Sequence, residues 1–183
     1  GQQLDLHSPL YNAAECLEIL GEIEPARFEV ALRQMVSEVE SLHLRFQTEA
    51  GKPIQFIDPS QNWTVHHLDV SAANDPWQAA QAWMQQDLGQ TVDLSLGPLF
   101  SQALIRLASD RYFWYQRIHH IAMDGYGFSL LARRVAEIYT ALNVGQCPTF
   151  SPFTSLHGVL EEDRAYHRSD QISLDRNYWL RHL

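Results

Sequence analysis

The segment His119-His120-Ile121-Ala122-Met123-Asp124-Gly125 sets two imidazoles side by side and a carboxylate four residues beyond the second. Imidazole titrates near neutrality, so it can take or share a proton from an amine or hydroxyl that attacks a carbonyl. Successive side chains on a strand point to opposite faces. If one strand carries both histidines, one ring faces a packed interior and the other a cleft. Asp124 falls past the strand end, where it can fix the loop by hydrogen bonds or an arginine pair. Gly125 permits backbone conformations that other residues resist. General-base help from such a histidine is worth about 10²- to 10⁴-fold, and holding two reactants together is worth about 7–11 kcal/mol.

The elements around the segment suit that task. Leu99 to Ala108 and Tyr112 to Ile118 alternate and are rich in aromatics, and Ser109-Asp110-Arg111 joins them as a hairpin whose second strand delivers the histidines. After Asp124-Gly125-Tyr126-Gly127 a helix begins, with Phe128, Leu131, Val135, Ile138, Tyr139 and Leu142 on its buried face and Asn143 to Gly145 at its end. Earlier in the chain, Asn12 to Leu20 reads as a strand closed by Gly21, and Pro25 opens a helix striped by Phe28, Leu32, Met35, Val36, Val39 and Leu42. Short strands follow near Leu44 to Thr48 and Ile54 to Asp58, with a turn at Glu49 to Pro53, and another near Thr64 to Leu68. Asp75 caps and Pro76 starts a second helix, in which Trp77, Ala80, Trp83 or Met84, and Leu88 share a face. A linker after Pro148 and Pro152 leads to helices around Thr154 to His167 and Leu174 to Leu183. The pattern predicts an α+β sandwich: a mixed, largely antiparallel sheet with packed helices.

Composition narrows the function. The 183 residues are 45% hydrophobic and carry a formal charge of -9, enough apolar content for one folded domain and the wrong sign for a protein that neutralises phosphates. Nucleic acid is therefore not an expected partner. No apolar run approaches the roughly 20 residues of a membrane span, and the start, Gly1-Gln2-Gln3-Leu4-Asp5, shows no leader pattern, so a cytoplasmic protein with no membrane partner is expected. Cys16 and Cys147 have neither disulfide-framework nor zinc spacing and are expected as reduced, buried thiols. The final residues, Asn177 to Leu183, read as the middle of an amphipathic helix with no stop signal, as though the chain were cut there.

Rival readings of the conspicuous residues are weaker. His119, His120 and Asp124 are metal-ligand types, but adjacent histidines facing opposite ways are poorly placed to share an ion, so no metal is expected. His66-His67-Leu68-Asp69 reads as a strand, since its acid follows too closely and no glycine comes after it. Tyr112 to Tyr115 lacks the interleaved basic residues of a base-stacking surface and reads as core. Arg133-Arg134 reads as a solvated helix face, with contact to an acidic partner protein as the alternative.

The span His119 to Gly125 matches HHxxxDG, the signature of the superfamily similar to chloramphenicol acetyltransferase, which includes the condensation domains of nonribosomal peptide synthetases. An isolated His-His pair is ordinarily structural. The flanks Tyr112-Phe113-Trp114-Tyr115-Gln116-Arg117-Ile118 and Tyr126-Gly127-Phe128-Ser129-Leu130-Leu131 sharpen the match, and resemble the opening condensation domains of siderophore synthetases of the enterobactin synthetase component F type. Ser41-Leu42-His43-Leu44-Arg45-Phe46 resembles the family's second motif, RHExLRxxF, with the first Arg and the acidic residue replaced. Pro152-Phe153-Thr154-Ser155-Leu156 and Tyr178-Trp179 resemble the passage into the family's second subdomain.

The resemblance implies that residues 1–183 are the N-terminal subdomain of a condensation domain, with 148–183 leading toward a missing C-terminal subdomain and with the family's first motif also missing. It implies a tunnel between the two subdomains, where an acyl thioester and an amine meet on phosphopantetheine arms. These are carried by an upstream carrier protein, aryl in type, and a downstream peptidyl carrier protein. No tightly bound cofactor is implied. His120 would be the catalytic residue, as general base or as the group that positions the amine. His119 would be structural, Asp124 would shape the site through an ion pair, Gly125 would line the passage, and Arg45 and Tyr126 are candidate supporting residues. The nearest relatives imply a 2,3-dihydroxybenzoyl donor and a serine acceptor. A coenzyme A-dependent acyltransferase of the same superfamily and a non-catalytic carrier-docking module are the alternatives, and the fragment alone is expected to be inactive.

Overall fold

The computed structural model describes residues 8–60 and 62–183, so the opening Gly1–Asp5 lies outside it. The chain forms two compact units, Gly1–Phe150 and Ser151–Leu183.

The first unit is built on a four-stranded sheet. Its strands are β1 (Asn12–Leu20), β4 (Val65–Asp69), β5 (Phe100–Ala108) and β6 (Arg111–His119), in the order β1-β6-β5-β4. β6 runs antiparallel to both neighbours, while β4 is parallel to β5 because helix α2 (Pro76–Leu88) crosses over between them. The expected mixed, largely antiparallel sheet is what the chain forms.

Alternation along β5 and β6 divides the core. Ala103, Ile105, Leu107, Phe113 and Tyr115 pack on Ala80 of α2, with Trp83 and Met84 beside them. On the other face Trp114 meets Phe28 edge-to-face at 5.5 Å, and Phe28 meets Tyr139 at 5.6 Å, which brings α1 (Pro25–Glu38) and α3 (Gly125–Asn143) together. Both α1 and α2 begin on a proline, and the Asp75 carboxylate accepts from the Gln78 amide at 2.9 Å as the expected cap.

The apolar stripe of α1 runs past the helix itself. α1 stops at Glu38, and a 3-10 turn, Glu40–His43, carries Leu42 into the core. The buried His43 ring sits 2.9 Å from the Val36 carbonyl, which also accepts from the Val39 amide at 3.2 Å. A separate hairpin follows, β2 (Leu44–Glu49) and β3 (Lys52–Ile57). Its two-residue turn is Ala50-Gly51, both at positive φ, as a twisted hairpin requires.

Two sequence readings are corrected. Arg134 is not on a solvated face: it is 1% exposed, and its guanidinium grips Glu38 of α1 at 2.7 and 2.8 Å and Thr149 at 2.9 and 3.1 Å. Only Arg133 faces solvent, paired with Glu137 one turn on. Nor are the thiols buried. Cys16 lies on the outward side of edge strand β1 and Cys147 in the loop after α3. Partial desolvation and the neighbouring carboxylates of Glu18 and Glu15 push the Cys16 thiol up to about 11.

The second unit is the helix pair α4 (Leu156–Arg168) and α5 (Gln171–His182), joined by a Tyr166 hydroxyl that donates to Asp175 at 2.9 Å. Neither helix buries a residue, and Val159, Leu174, Tyr178, Trp179 and Leu180 are all exposed. No helix among the described residues is long and apolar enough to cross a membrane.

Candidate active site

The end of β6 is pinned from both sides. The His119 amide donates to the Leu99 carbonyl at 2.8 Å, and the His120 amide donates to the Tyr11 carbonyl at 2.7 Å. The strand ends at His119, and Ala122 N donates back to the His119 carbonyl at 2.9 Å, closing the turn. Since this backbone is held by segments from elsewhere in the chain, the two side chains leave it in fixed and different directions.

His119 is 3% exposed and His120 is exposed. The buried ring accepts at Nδ1 from the Ile121 amide, 3.2 Å away, which places the proton of the neutral imidazole on Nε2. Burial, followed by the charges of His120 and Arg117, lowers the His119 pKa. His119 is therefore held neutral and acts as a scaffold for the turn. Two residues earlier, Arg117 is also buried and donates from Nε to Asp87 of α2 at 2.7 Å. That pair anchors β6 to α2 just before the histidines.

Asp124 is the N-cap of α3: its carboxylate accepts from the Gly127 amide at 2.9 Å and its carbonyl from the Phe128 amide at 3.3 Å. Among the described residues the expected ion pair is not formed, and the helix cap stands in its place. Aiming the N-terminus of a 19-residue helix, Asp124 fixes the turn that presents His120.

The two glycines of the turn differ. Gly127 lies against Met123, whose half-buried side chain would have to move to admit a Cβ, which it would meet at 2.3 Å. Gly125 has no left-handed φ, and a Cβ there would meet nothing within 4 Å. Backbone freedom is thus not what asks for glycine at 125; the residue leaves open room next to the turn. Tyr126, 74% exposed, stands in the first turn of α3.

Arg45 sits apart from this group. It is 3% exposed on β2, donates to its neighbour's Leu44 carbonyl at 2.9 Å and lies 3.9 Å from Asp58. Desolvation lowers its pKa, opposed by Asp58. A Cβ on Gly97 would meet its guanidinium at 2.1 Å, so glycine at 97, with φ +57, is what lets the chain cross Arg45 on its way to Leu99. Arg45 thus supports the 93–97 turn and has no contact with the histidines. Among the described residues no three His, Cys, Asp or Glu side chains cluster as metal ligands.

The HHxxxDG segment thus carries an exposed imidazole just past the end of β6, a buried neutral one before it and an acid-capped helix after the turn. The Condensation domain family model matches residues 1–183. The chain belongs to the condensation-domain family. Its fold agrees: the starter condensation domain of rhizomide synthetase RzmA superposes with a TM-score of 0.93 at 46% identity, over 100% of this chain and 44% of that one. Among curated relatives of this condensation sequence, a dimodular nonribosomal peptide synthase of Bacillus subtilis (strain 168) is 51% identical over 98% of the chain. Enterobactin synthase component F of Escherichia coli O157:H7 is 33% identical over 92% of it. The chain spans 8% and 13% of those two relatives, so it corresponds to one part of a much longer synthetase.

Proposed function

We propose that the protein to which this chain belongs joins an acyl thioester to an amine, both delivered on phosphopantetheine arms of carrier proteins, in nonribosomal peptide assembly. The exposed His120 on its pinned strand tip carries this reading. The amine nitrogen attacks the thioester carbonyl, the C–N bond forms, the C–S bond breaks, and the sulfur leaves as a thiol. His120 handles the proton that the amine sheds, by taking it or by holding the amine in line as it departs. His119, Asp124 and Gly125 hold the turn and leave the approach open, with Tyr126 beside it.

Residues 1–183 are, on this reading, the first of two subdomains that enclose a tunnel. The share of the RzmA domain that the chain covers, 44%, supports it, and so do the exposed apolar faces of α4 and α5, which a second subdomain would cover. The fragment alone is then inactive, because half of the tunnel wall is absent. The partners are an upstream carrier, a downstream peptidyl carrier and the second subdomain, and the reaction takes place in the cytoplasm.

The donor has two readings. Likeness to enterobactin synthase component F favours an aryl group on a carrier, with serine as the acceptor. Solved structures of the RzmA starter domain, 46% identical, hold C8-CoA, which favours an acyl group brought by soluble coenzyme A. Incubating the full synthetase with 2,3-dihydroxybenzoyl-carrier, octanoyl-carrier and octanoyl-CoA, each with aminoacyl carrier, distinguishes them by the mass of the amide formed. Carrier-dependent amide formation is expected; no amide from any loaded donor would contradict acyl transfer.

A further inference from the structure

One side chain ties the start of β1 to the end of α2. Asn12, the first residue of β1, donates from Nδ2 to the carbonyls of Leu88 and Gln90, at 2.9 and 2.7 Å and across 76 and 78 positions of sequence. Both contacts are carbonyl oxygens, so it is the donor end of the amide that faces them. Leu88 is the last residue of α2, where helix carbonyls have no partner within the helix. In the same turn the Asp87 carbonyl takes the Gln90 amide at 2.9 Å, and Asn12 takes the Leu88 and Gln90 carbonyls. β1 is an edge strand with β6 on one side only among the described residues, and the end of such a strand frays unless something else holds it.

What Asn12 holds lies one peptide plane from His120. The Tyr11 carbonyl and the Asn12 backbone nitrogen belong to the same planar group. That carbonyl accepts from the His120 amide at 2.7 Å, and that nitrogen donates to the Pro9 carbonyl at 2.9 Å. Asn12 also faces His119 in the β1–β6 register, and the Tyr11 and His119 rings lie 6.0 Å apart. The same turn of α2 grips β6 as well, since the Asp87 carboxylate takes Arg117 Nε at 2.7 Å. Residues 87–90 therefore hold both strands that meet at the histidines, β6 through Arg117 and β1 through Asn12.

We propose that Asn12 is a positioning residue for the His120 imidazole. Its side-chain amide fastens the start of β1 to the end of α2, and so fixes the Tyr11 carbonyl to which the His120 backbone is tied. The consequence for catalysis rests on the acyl-transfer reading; the mechanical link rests on the hydrogen bonds alone.

The test uses the full synthetase with Asn12→Ala, which removes the side chain, and Asn12→Asp, which keeps its shape but sets a carboxylate against two carbonyl oxygens. Hydrogen exchange is read residue by residue by mass spectrometry, with amide-forming kcat and the KM for aminoacyl carrier beside it. The expected result is severalfold faster exchange at the His120 amide with exchange at 113–116, in the middle of β6, unchanged. With it kcat falls severalfold at constant KM, and Asn12→Asp is impaired at least as much as Asn12→Ala, because the donor and not the volume is what matters.

Unchanged exchange at His120 overturns the proposal, and so does equal acceleration along all of β6, which would mark a purely structural role. Full function in Asn12→Asp beside a defect in Asn12→Ala overturns it too, by assigning the effect to packing. Faster exchange at His120 with kcat unchanged overturns it in an enzyme that His120→Ala slows. Failure of the acyl-transfer reading shows separately, as a His120→Ala enzyme of unchanged rate, and exchange at His120 then decides the link by itself.

Discussion

The amide of His120 is tied to the carbonyl of Tyr11 at 2.7 Å, so the residue before β1 fixes the backbone of the residue after β6. On the other side Leu99 holds His119 in the same way, at 2.8 Å. Two hydrogen bonds to distant segments therefore fix the backbone from which the His120 imidazole projects, and the His119 ring before it is held neutral.

The neutral state of His119 makes a pH prediction. Its folded pKa is lowered from the ordinary value of 6.5, chiefly by burial. The unfolded chain then binds a proton that the folded chain refuses as pH falls below 6.5. The stabilising contribution is complete above that pH and is lost progressively below it, down to the folded pKa. His119→Asn keeps an acceptor where Nδ1 receives the Ile121 amide, and it should flatten the acid limb below pH 6.5. Urea unfolding across that range measures it.

Asp124 should behave as a cap. Asp124→Ala is expected to cost about 1 kcal/mol of stability, and Asp124→Asn or Asp124→Ser to recover most of it. A charge-dependent ion pair would instead leave all three variants equally impaired. Denaturant melts of the three, with kcat beside them, separate the cases.

The buried pair of Arg134 and Glu38 links α3 to α1. Arg134→Ala leaves Glu38 without its guanidinium in a largely buried place and should cost about 3–5 kcal/mol. Replacing both partners, as in Arg134→Met with Glu38→Leu, should recover much of that loss, read as non-additivity in a double-mutant cycle.

Gly125→Ala separates packing from passage. A methyl group there meets no neighbour and no strained φ, so the melting temperature should hold or rise slightly. If the open room belongs to the substrate path, kcat/KM should fall while stability does not.

Much of this arrangement is legible in the residues. The strands, the Asp75 cap, the Pro76 start and the turn at Ala50-Gly51 follow local rules, whereas the contrast between His119 and His120 comes from the strand ending at His119, since both faces of β6 are buried. The buried charges follow no such rules. Arg134 finds Glu38 across 96 positions and Arg117 finds Asp87 across 30, and no local pattern announces a partner at such a distance. Arg117 shares a face of β6 with Tyr115, so parity places it on the side toward α2, but both faces of that strand are buried and parity alone does not single it out. Arg45 resembled a site residue in its motif, yet its environment is set by Gly97, half a domain away in sequence. The resemblance implies an ion pair for Asp124, although its place immediately before a glycine-rich helix start also fits a cap.

The central claim is that the His120 imidazole acts on the amine as it meets the thioester. The most direct measurement is single-turnover amide formation by the full synthetase carrying His120→Ala, with both carriers loaded and the fold verified by its unfolding midpoint. The expected result is a rate lower by about 10²- to 10⁴-fold with carrier binding retained. A rate equal to that of the unmodified enzyme would contradict the claim.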